Sequence, residues 1–110
     1  MIWIISGTQD GREIGAALAD REQSKPEGER REILMTVVSQ YGKVLAAHKG
    51  LDIEVGRFRE EDMLRVIREK GISLILDASH PYAAIVSETA RAACTKAGID
   101  YVRYERAEIP

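Results

Sequence analysis

Several residue types are scarce in this chain of 110 residues, and each scarcity excludes a class of protein. A single cysteine cannot form an internal disulfide, so we expect a reducing, cytoplasmic location. Two widely separated histidines and that cysteine do not make a metal site, and none is predicted. A net charge of −2 gives no basic surplus for neutralising phosphates, so nucleic acid is not an expected partner.

Long apolar runs are absent as well. None approaches the roughly 20 residues of a membrane-spanning helix, so no membrane partner is expected. The apolar residues 1–5 have no basic leader, and they predict a first strand instead of a signal peptide.

Strand-type and helix-type segments alternate along the chain. Strand patterns cover residues 2–6, 32–38, 51–55, 72–76 and 99–104, and helical patterns cover 10–21, 39–50, 60–70 and 82–97. This alternation is typical of a parallel sheet with right-handed crossovers. We therefore predict one nucleotide-binding α/β domain over residues 1–110, a Rossmann-like, doubly wound parallel sheet with strand order 3-2-1-4-5. The charged segment 22–31 is expected to be a solvated loop.

The predicted strand order indicates where a ligand would bind. Doubly wound sheets bind ligands at the carboxyl ends of their strands, at the point where the strand order reverses. Here that point lies between the first and fourth strands, which are followed by loops at Gly7 and Asp77. We expect both loops to face one crevice.

The first of these loops has glycine at positions 7, 11 and 15. Glycine permits a tight turn and close approach of a ligand, and the N–H groups at the start of a helix favour a phosphate. The spacing departs from the G-x-G-x-x-G fingerprint of dinucleotide-binding folds. The alternative is a plain turn in which Asp10 caps the helix and Glu13 completes a capping box.

The end of the second strand bears on the choice of cofactor. A fold selective for NADH usually places an acid there for the ribose 2′-OH, and this chain has none. The hydroxyls of Thr36 and Ser39, with Arg57 from the end of the third strand, suit a 2′-phosphate, which favours NADPH with NADH as the alternative. Ser39 can equally serve as nothing more than a helix N-cap.

The end of the fourth strand reads LILDASHPY over residues 74–82. Pro81 suits the first turn of a helix, and His80 before it can hold or donate a proton. Asp77 and His80 are therefore candidates for groups that face a ligand. The alternative is structural, with Asp77 fixing the turn and His80 capping the helix.

Four segments together resemble one known family. Residues 4–14, 38–42, 56–57 and 77–83 read IISGTQDGREI, VSQYG, GR and DASHPYA. In this order and spacing they resemble the N-terminal domain of the precorrin-6A and cobalt-precorrin-6A reductases. The resemblance implies an NAD(P)H-dependent oxidoreductase of cobalamin (vitamin B12) biosynthesis, within porphyrin biosynthesis. It implies that hydride reaches one carbon of a tetrapyrrole C=C bond and that a proton reaches the other.

The resemblance also implies roles for individual residues. Asp77 and His80, in the segment that it places beside the nicotinamide, are our candidates for catalytic residues. It assigns cofactor binding to the following positions: Gly7, Thr8, Asp10 and Gly11 along the phosphates, Thr36, Ser39 and Arg57 near the adenosine, and Ala78, Ser79, Pro81 and Tyr82 beside the nicotinamide. For the carboxylates of the tetrapyrrole it leaves Arg57, Arg91, Arg103 and Arg106 as candidates.

Members of that family are longer and carry a second α/β domain that closes over cofactor and substrate. The resemblance therefore implies that this chain needs that missing C-terminal domain, or a second copy of itself, to reduce precorrin efficiently. Two alternatives remain open. One is a flavodoxin-like FMN-binding domain, although such a domain uses aromatic residues to flank the flavin and this chain has only one Trp, four Tyr and one Phe. The other is a non-catalytic α/β interaction domain.

Overall fold

The computed structural model describes residues 1–81 and 83–105, in which five strands alternate with four α-helices. The elements are β1 (Ile2–Ser6), α1 (Gln9–Gln23), β2 (Ile33–Val37), α2 (Gln40–Ala46), β3 (Leu51–Val55), α3 (Glu60–Lys70), β4 (Leu74–Ala78), α4 (Ala84–Ala97) and β5 (Asp100–Arg103). The strands form one parallel sheet in the order β3-β2-β1-β4-β5. The predicted doubly wound fold and its strand order are confirmed.

The central strand β1 shows how the sheet is buried on both faces. Successive side chains of a strand point to opposite faces. Ile2 and Ile4 therefore pack into the core beneath α1 and α2, whereas Trp3 and Ile5 pack into the core beneath α3 and α4. Fully burying one such side chain is worth about 1.5–3 kcal/mol, so the two cores hold both helix layers on the sheet.

The start of α1 differs from the capping pattern predicted for it. Thr8 is the N-cap, and its hydroxyl accepts the Gly11 N–H at 3.1 Å. The interpretation in which Asp10 caps the helix and Glu13 completes a capping box is therefore wrong. Asp10 lies inside the first turn, where a negative charge suits the helix dipole.

The segment between β4 and α4 also differs from its prediction. β4 extends through Ala78, because Asp77 and Ala78 pair with β1. α4 begins at Ala84, and the non-helical backbone of Ala83 separates it from Pro81. Pro81 therefore lies in a turn before the helix and not in its first turn, and the Ala83 N–H closes that turn by donating to the His80 carbonyl at 2.8 Å.

Two further segments depart from expectation. α2 ends at Ala46, before the predicted stop at Gly50. The segment 22–31 is anchored at its start, because the buried Glu22 carboxylate accepts Lys25 Nζ and the Arg31 N–H, both at 2.7 Å. Its exposed part, residues 26–31, includes a short 3₁₀ turn. Among the described helices, none is long and apolar enough to cross a membrane.

Candidate functional site at the carboxyl edge of the sheet

The loops that follow β1 and β4 contact each other at the carboxyl edge of the sheet. The Gly7 N–H and the Thr8 hydroxyl both donate to the Ala78 carbonyl, each at 3.3 Å. Thr8 thus caps α1 and ties that helix to the end of β4. The structure brings together the two loops that the predicted strand order placed side by side.

Two glycines allow this close contact. A Cβ at Gly7 would lie 3.0 Å from the backbone nitrogen of His80. A Cβ at Gly11 would lie 2.8 Å from Ser6 Oγ and 3.0 Å from Ala78 Cβ. A larger residue at either position would force the loops apart, so glycine is required for their packing whether or not a ligand is present.

A cavity of about 240 Å³ opens beside the first loop, between α1 and α2, and we call it the glycine-loop cavity. It is lined by Ser6, Gly7, Arg12, Val37, Val38, Ser39, Tyr41, Gly42 and Leu45. Ser39 is the N-cap of α2, and its hydroxyl accepts the Gly42 N–H at 3.0 Å, as the structural alternative predicts. That oxygen still lines the cavity.

A second cavity of about 370 Å³ lies on the other face of the sheet, and we call it the apolar cavity because most of its lining residues are apolar. It is lined by Thr36, Val37, Val38, Gly56, Arg57, Phe58, Met63, Ala83, Ala84, Ile85 and Val86. Arg57 is an exposed residue of its lining. Thr36 is buried, and its hydroxyl oxygen accepts Trp3 Nε1 at 2.9 Å.

The three residues predicted to surround the adenosine are therefore divided between two cavities. Thr36 and Arg57 line the apolar cavity, and Ser39 lines the glycine-loop cavity. The two cavities meet at Val37 and Val38, which line both of them. The hydroxyl oxygen of Thr36 uses one lone pair to accept the indole N–H of Trp3, so that lone pair is not available to a ligand.

A third cavity of about 210 Å³ lies between the two loops and the end of β5, and we call it the His80 cavity. It is lined by Thr8, Asp10, Ser79, His80, Pro81, Arg103, Tyr104 and Glu105. The structure thus brings together predicted phosphate-loop residues and the predicted nicotinamide-side residues. Tyr82 and Arg106, two further predicted site residues, lie outside the described residues.

Asp77 lies beneath this cavity at the centre of what we call the Asp77 network. Its side chain is 0% exposed. Oδ1 accepts the Ser79 N–H and Arg103 Nη1, both at 3.0 Å. Oδ2 accepts the hydroxyls of Ser87 and Tyr101, both at 2.6 Å. The carboxylate therefore connects β4 to the following turn, to α4 and to β5.

The protonation of this network follows from its hydrogen bonds. Burial opposes ionisation of Asp77, but the hydrogen bonds from Ser79, Ser87 and Tyr101 outweigh it and lower the pKa of the carboxyl. Burial, followed by the hydrogen bond to Asp77, raises the pKa of Tyr101 to about 12. The network therefore holds an ionised carboxylate and a neutral phenol. Its geometry matches the structural alternative, in which Asp77 fixes the turn.

The remaining predicted arginines have partners that the sequence did not indicate. Besides Asp77, Arg103 Nη1 donates to Ser79 Oγ at 2.9 Å. The Arg91 guanidinium lies over the Tyr101 ring, 5.4 Å from its centroid. Cys94 is buried, and burial raises the pKa of its thiol to about 11, which favours the protonated form over the nucleophilic thiolate.

Comparison with known proteins adds the family. The sequence profile of the family described as "Precorrin-6x reductase CbiJ/CobK" matches residues 1–110. The chain belongs to the precorrin-6x reductase family. The resemblance on which the sequence analysis relied is thereby confirmed.

Relatives within the precorrin-6x reductase family are much longer than this chain. This chain is 35% identical over 107 residues to the cobalt-precorrin-6A reductase of Priestia megaterium, and the matched region covers 97% of this chain and 39% of that protein. It is 30% identical over 106 residues to the cobalt-precorrin-6A reductase of Synechocystis sp., covering 96% and 38%. A solved structure, CobK precorrin-6A reductase, matches 99% of this chain and 38% of that one with a TM-score of 0.78. At 24% identity that likeness shows the fold alone.

The unpredicted residues of the site include Ser6, Arg12, Ser87 and Tyr101. Arg12 lies one helical turn after Thr8, a spacing that places two residues on the same face of a helix. Tyr101 lies two residues before Arg103 on β5 and therefore on the same face of the sheet. These periodicities were readable from the sequence. Ser87 gave no comparable signal, because its contact depends on how α4 packs.

Proposed function

We propose that this chain is the cofactor-binding part of a nicotinamide-dependent reductase, which reduces a C=C bond of precorrin-6A or cobalt-precorrin-6A in cobalamin biosynthesis. The observation that carries the proposal is the pair of interlocked loops after β1 and β4 in a chain of this family. Three cavities lie along this edge of the sheet, which is where doubly wound sheets bind nucleotides.

The residues at this edge fit a dinucleotide. Ser6 Oγ is buried and has no hydrogen-bond partner among the described residues, and it lines the glycine-loop cavity beside the start of α1. Gly7, Thr8, Asp10 and Gly11 form the turn along which the phosphates would lie, at the positive end of the helix dipole. The apolar cavity has the chemistry of an adenine site, with Arg57 beside it.

The other half of the cofactor belongs, in this proposal, at the His80 cavity. Ala78, Ser79 and Pro81 form the wall between the end of β4 and α4, against which the nicotinamide would lie. NADPH is the proposed cofactor because the end of β2 has no acid and the two cavities beside it each contain an arginine. When bound, it supplies the hydride.

The chain's own residues would position the reactants and handle the proton. His80 lies exposed in the wall of its cavity, where an imidazole can donate a proton to the carbon that hydride does not reach. Asp77 acts as a positioning residue, because its carboxylate fixes the Ser79 N–H and thereby the turn that carries His80. The tetrapyrrole would be enclosed by a further domain or by a second copy of this chain.

Isothermal titration of the chain with NADPH, NADH and FMN tests the proposal. We expect NADPH to bind, NADH to bind less tightly and FMN not to bind. Gly11→Ala should weaken NADPH binding by about 10-fold or more, because its Cβ would displace Ser6 and Ala78.

Gly28→Ala is the matched control, since a Cβ there meets nothing within 4 Å. It should leave binding within about 2-fold of the native chain, as surface substitutions usually do. A purified protein that is yellow and binds FMN would favour the flavodoxin-like alternative instead. Failure to bind any of the three nucleotides would favour the interaction domain.

A further inference from the structure

The glycine-loop cavity contains one charged residue, Arg12. It lies on the second turn of α1, and it is half-buried. Among the described residues, no other charged side chain lines this cavity and none forms an ion pair with Arg12. The cavity is therefore locally positive in a chain whose net charge is negative.

A second, independent observation points to a polar ligand in the same cavity. Ser6 is 4% exposed, and its hydroxyl, which borders the cavity, has no hydrogen-bond partner among the described residues. A buried hydroxyl left unpaired is destabilising, by about 1–3 kcal/mol, so such groups are normally satisfied. A ligand that brings an acceptor oxygen to this wall would supply the missing bond.

The position of the cavity separates the two kinds of phosphate that a dinucleotide carries. The pyrophosphate belongs at Gly7 and Thr8, over the start of α1. The cavity continues from there to Ser39, beyond the end of β2, which is where dinucleotide folds place the 2′ position of the adenosine ribose. In NADH-selective folds an acid accepts the 2′-OH at this point, and here an arginine and a hydroxyl line it instead.

We infer that Arg12, together with the Ser39 hydroxyl, binds the 2′-phosphate of NADPH and sets the preference for NADPH over NADH. This inference rests on the proposed function and deepens it. Arg57, the arginine that the sequence pointed to, lies across the sheet in the apolar cavity among Phe58, Ile85 and Val86. Those side chains suit the adenine ring and not a dianionic phosphate.

The test is a titration of the chain with two matched pairs of ligands. NADPH and NADH form the first pair, and 2′,5′-ADP and 5′-AMP form the second, which needs only the adenosine half of the site. Arg12→Gln should weaken the binding of NADPH and of 2′,5′-ADP by about 10- to 100-fold, because it removes a charge-assisted hydrogen bond to the 2′-phosphate. It should leave the affinities for NADH and 5′-AMP within about 2-fold, since both ligands lack the 2′-phosphate that Arg12 would bind.

Matched variants separate this role from a general one. Arg21→Gln, an exposed position in the last turn of the same helix, should change no affinity by more than about 2-fold. Arg57→Gln should weaken the binding of both ligands in each pair by the same factor. Arg12→Lys should recover much of the NADPH preference, because it keeps the positive charge. A thermal midpoint within about 3 °C of the native chain verifies that each variant is folded.

The outcomes distinguish the inference from the proposed function. If the native chain binds NADPH and 2′,5′-ADP but Arg12→Gln weakens both members of a pair equally, or neither, the inference is wrong and the proposed function stands. The same holds if Arg57→Gln abolishes the preference for the 2′-phosphate. If the native chain binds none of the four ligands, the proposed function fails, and the inference fails with it.

Discussion

Replacing Asp77 by asparagine removes the charge at the centre of the Asp77 network and keeps the shape of the side chain. The native carboxylate accepts hydrogen bonds from Ser79, Ser87, Tyr101 and Arg103. The hydroxyl hydrogens of Ser87 and Tyr101 can rotate, so these two groups can accept from the new amide. The Arg103 guanidinium has no such freedom, and it loses its charged partner.

The size of the effect follows from the burial of the pair. Removing one member of a buried ion pair costs about 3–5 kcal/mol. The Asp77 side chain is 0% exposed but that of Arg103 is 17% exposed, so water can solvate the guanidinium in part. We therefore expect Asp77→Asn to lower the free energy of unfolding by about 2–3 kcal/mol. Domains are usually stable by about 5–15 kcal/mol, so the variant should still fold.

Urea unfolding measured by tryptophan fluorescence suits this chain. Trp3 is the only tryptophan, and it is 0% exposed in the core beneath α3 and α4, so its emission reports global unfolding. Asp52→Asn is the matched control, because Asp52 is an exposed residue of β3. Its effect should stay within about 0.5 kcal/mol.

The difference between native chain and variant should also depend on pH. The pKa of Asp77 is lower in the folded chain than its ordinary value of 3.8, so the folded state binds this proton more weakly than the unfolded state. The stabilisation by the ionised carboxylate is therefore complete above 3.8 and is lost as the pH falls through the lower, folded-state pKa.

Two results would refute this reasoning. One is an Asp77→Asn variant as stable as the Asp52→Asn control at neutral pH. The other is a stability difference that stays constant under acid conditions well below the ordinary pKa of an aspartate. Either would mean that the ionised carboxylate does not hold β4, α4 and β5 together.

Three further substitutions test the packing and capping of the site. Gly15→Ala should destabilise the chain by about 1–3 kcal/mol in urea unfolding, because its Cβ would lie 2.1 Å from Met35 Cε and force that side chain to move. Gly28→Ala should be neutral or stabilising by up to about 1 kcal/mol in the same assay, and a large loss there would contradict the exposed position of that residue. Thr8→Ala should cost about 1 kcal/mol in thermal unfolding, because the Gly11 N–H loses its cap, and Thr8→Ser should restore most of it.

Much of the fold was predictable because it depends on local periodicity. Five strands, four helices and the order 3-2-1-4-5 follow from alternating apolar segments and from the handedness of crossovers. Helix starts were harder to predict. Thr8 and Asp10 are both good N-caps, and contact of the Thr8 hydroxyl with Ala78 on another strand favours Thr8. Pro81 suits a first helical turn equally well, and only the backbone of Ala83 excludes it from α4.

The candidate site was predictable in its location but not in its pairings. That the loops at Gly7 and Asp77 share one edge follows from topology. The Asp77 carboxylate accepts hydrogen bonds from Ser87, Tyr101 and Arg103. These contacts depend on the packing of α4 and on the register of β5 against β4. A sequence shows an acid at the end of a strand, but it does not show how many donors converge on it.

For this protein the sequence alone determined the family, the sheet order and the edge at which the two loops meet, because each depends on the order and spacing of residues along the chain. The tertiary structure alone decided which partners each polar side chain contacts and how far it is buried. It buries the carboxylate of Asp77, and it pairs the Thr36 hydroxyl with the indole N–H of Trp3. It also places Arg12 and Ser39 in one cavity, which no acid among the described residues lines. The physical reason is that hydrogen-bond partners and solvent exposure are properties of residues distant in sequence and brought together only by packing.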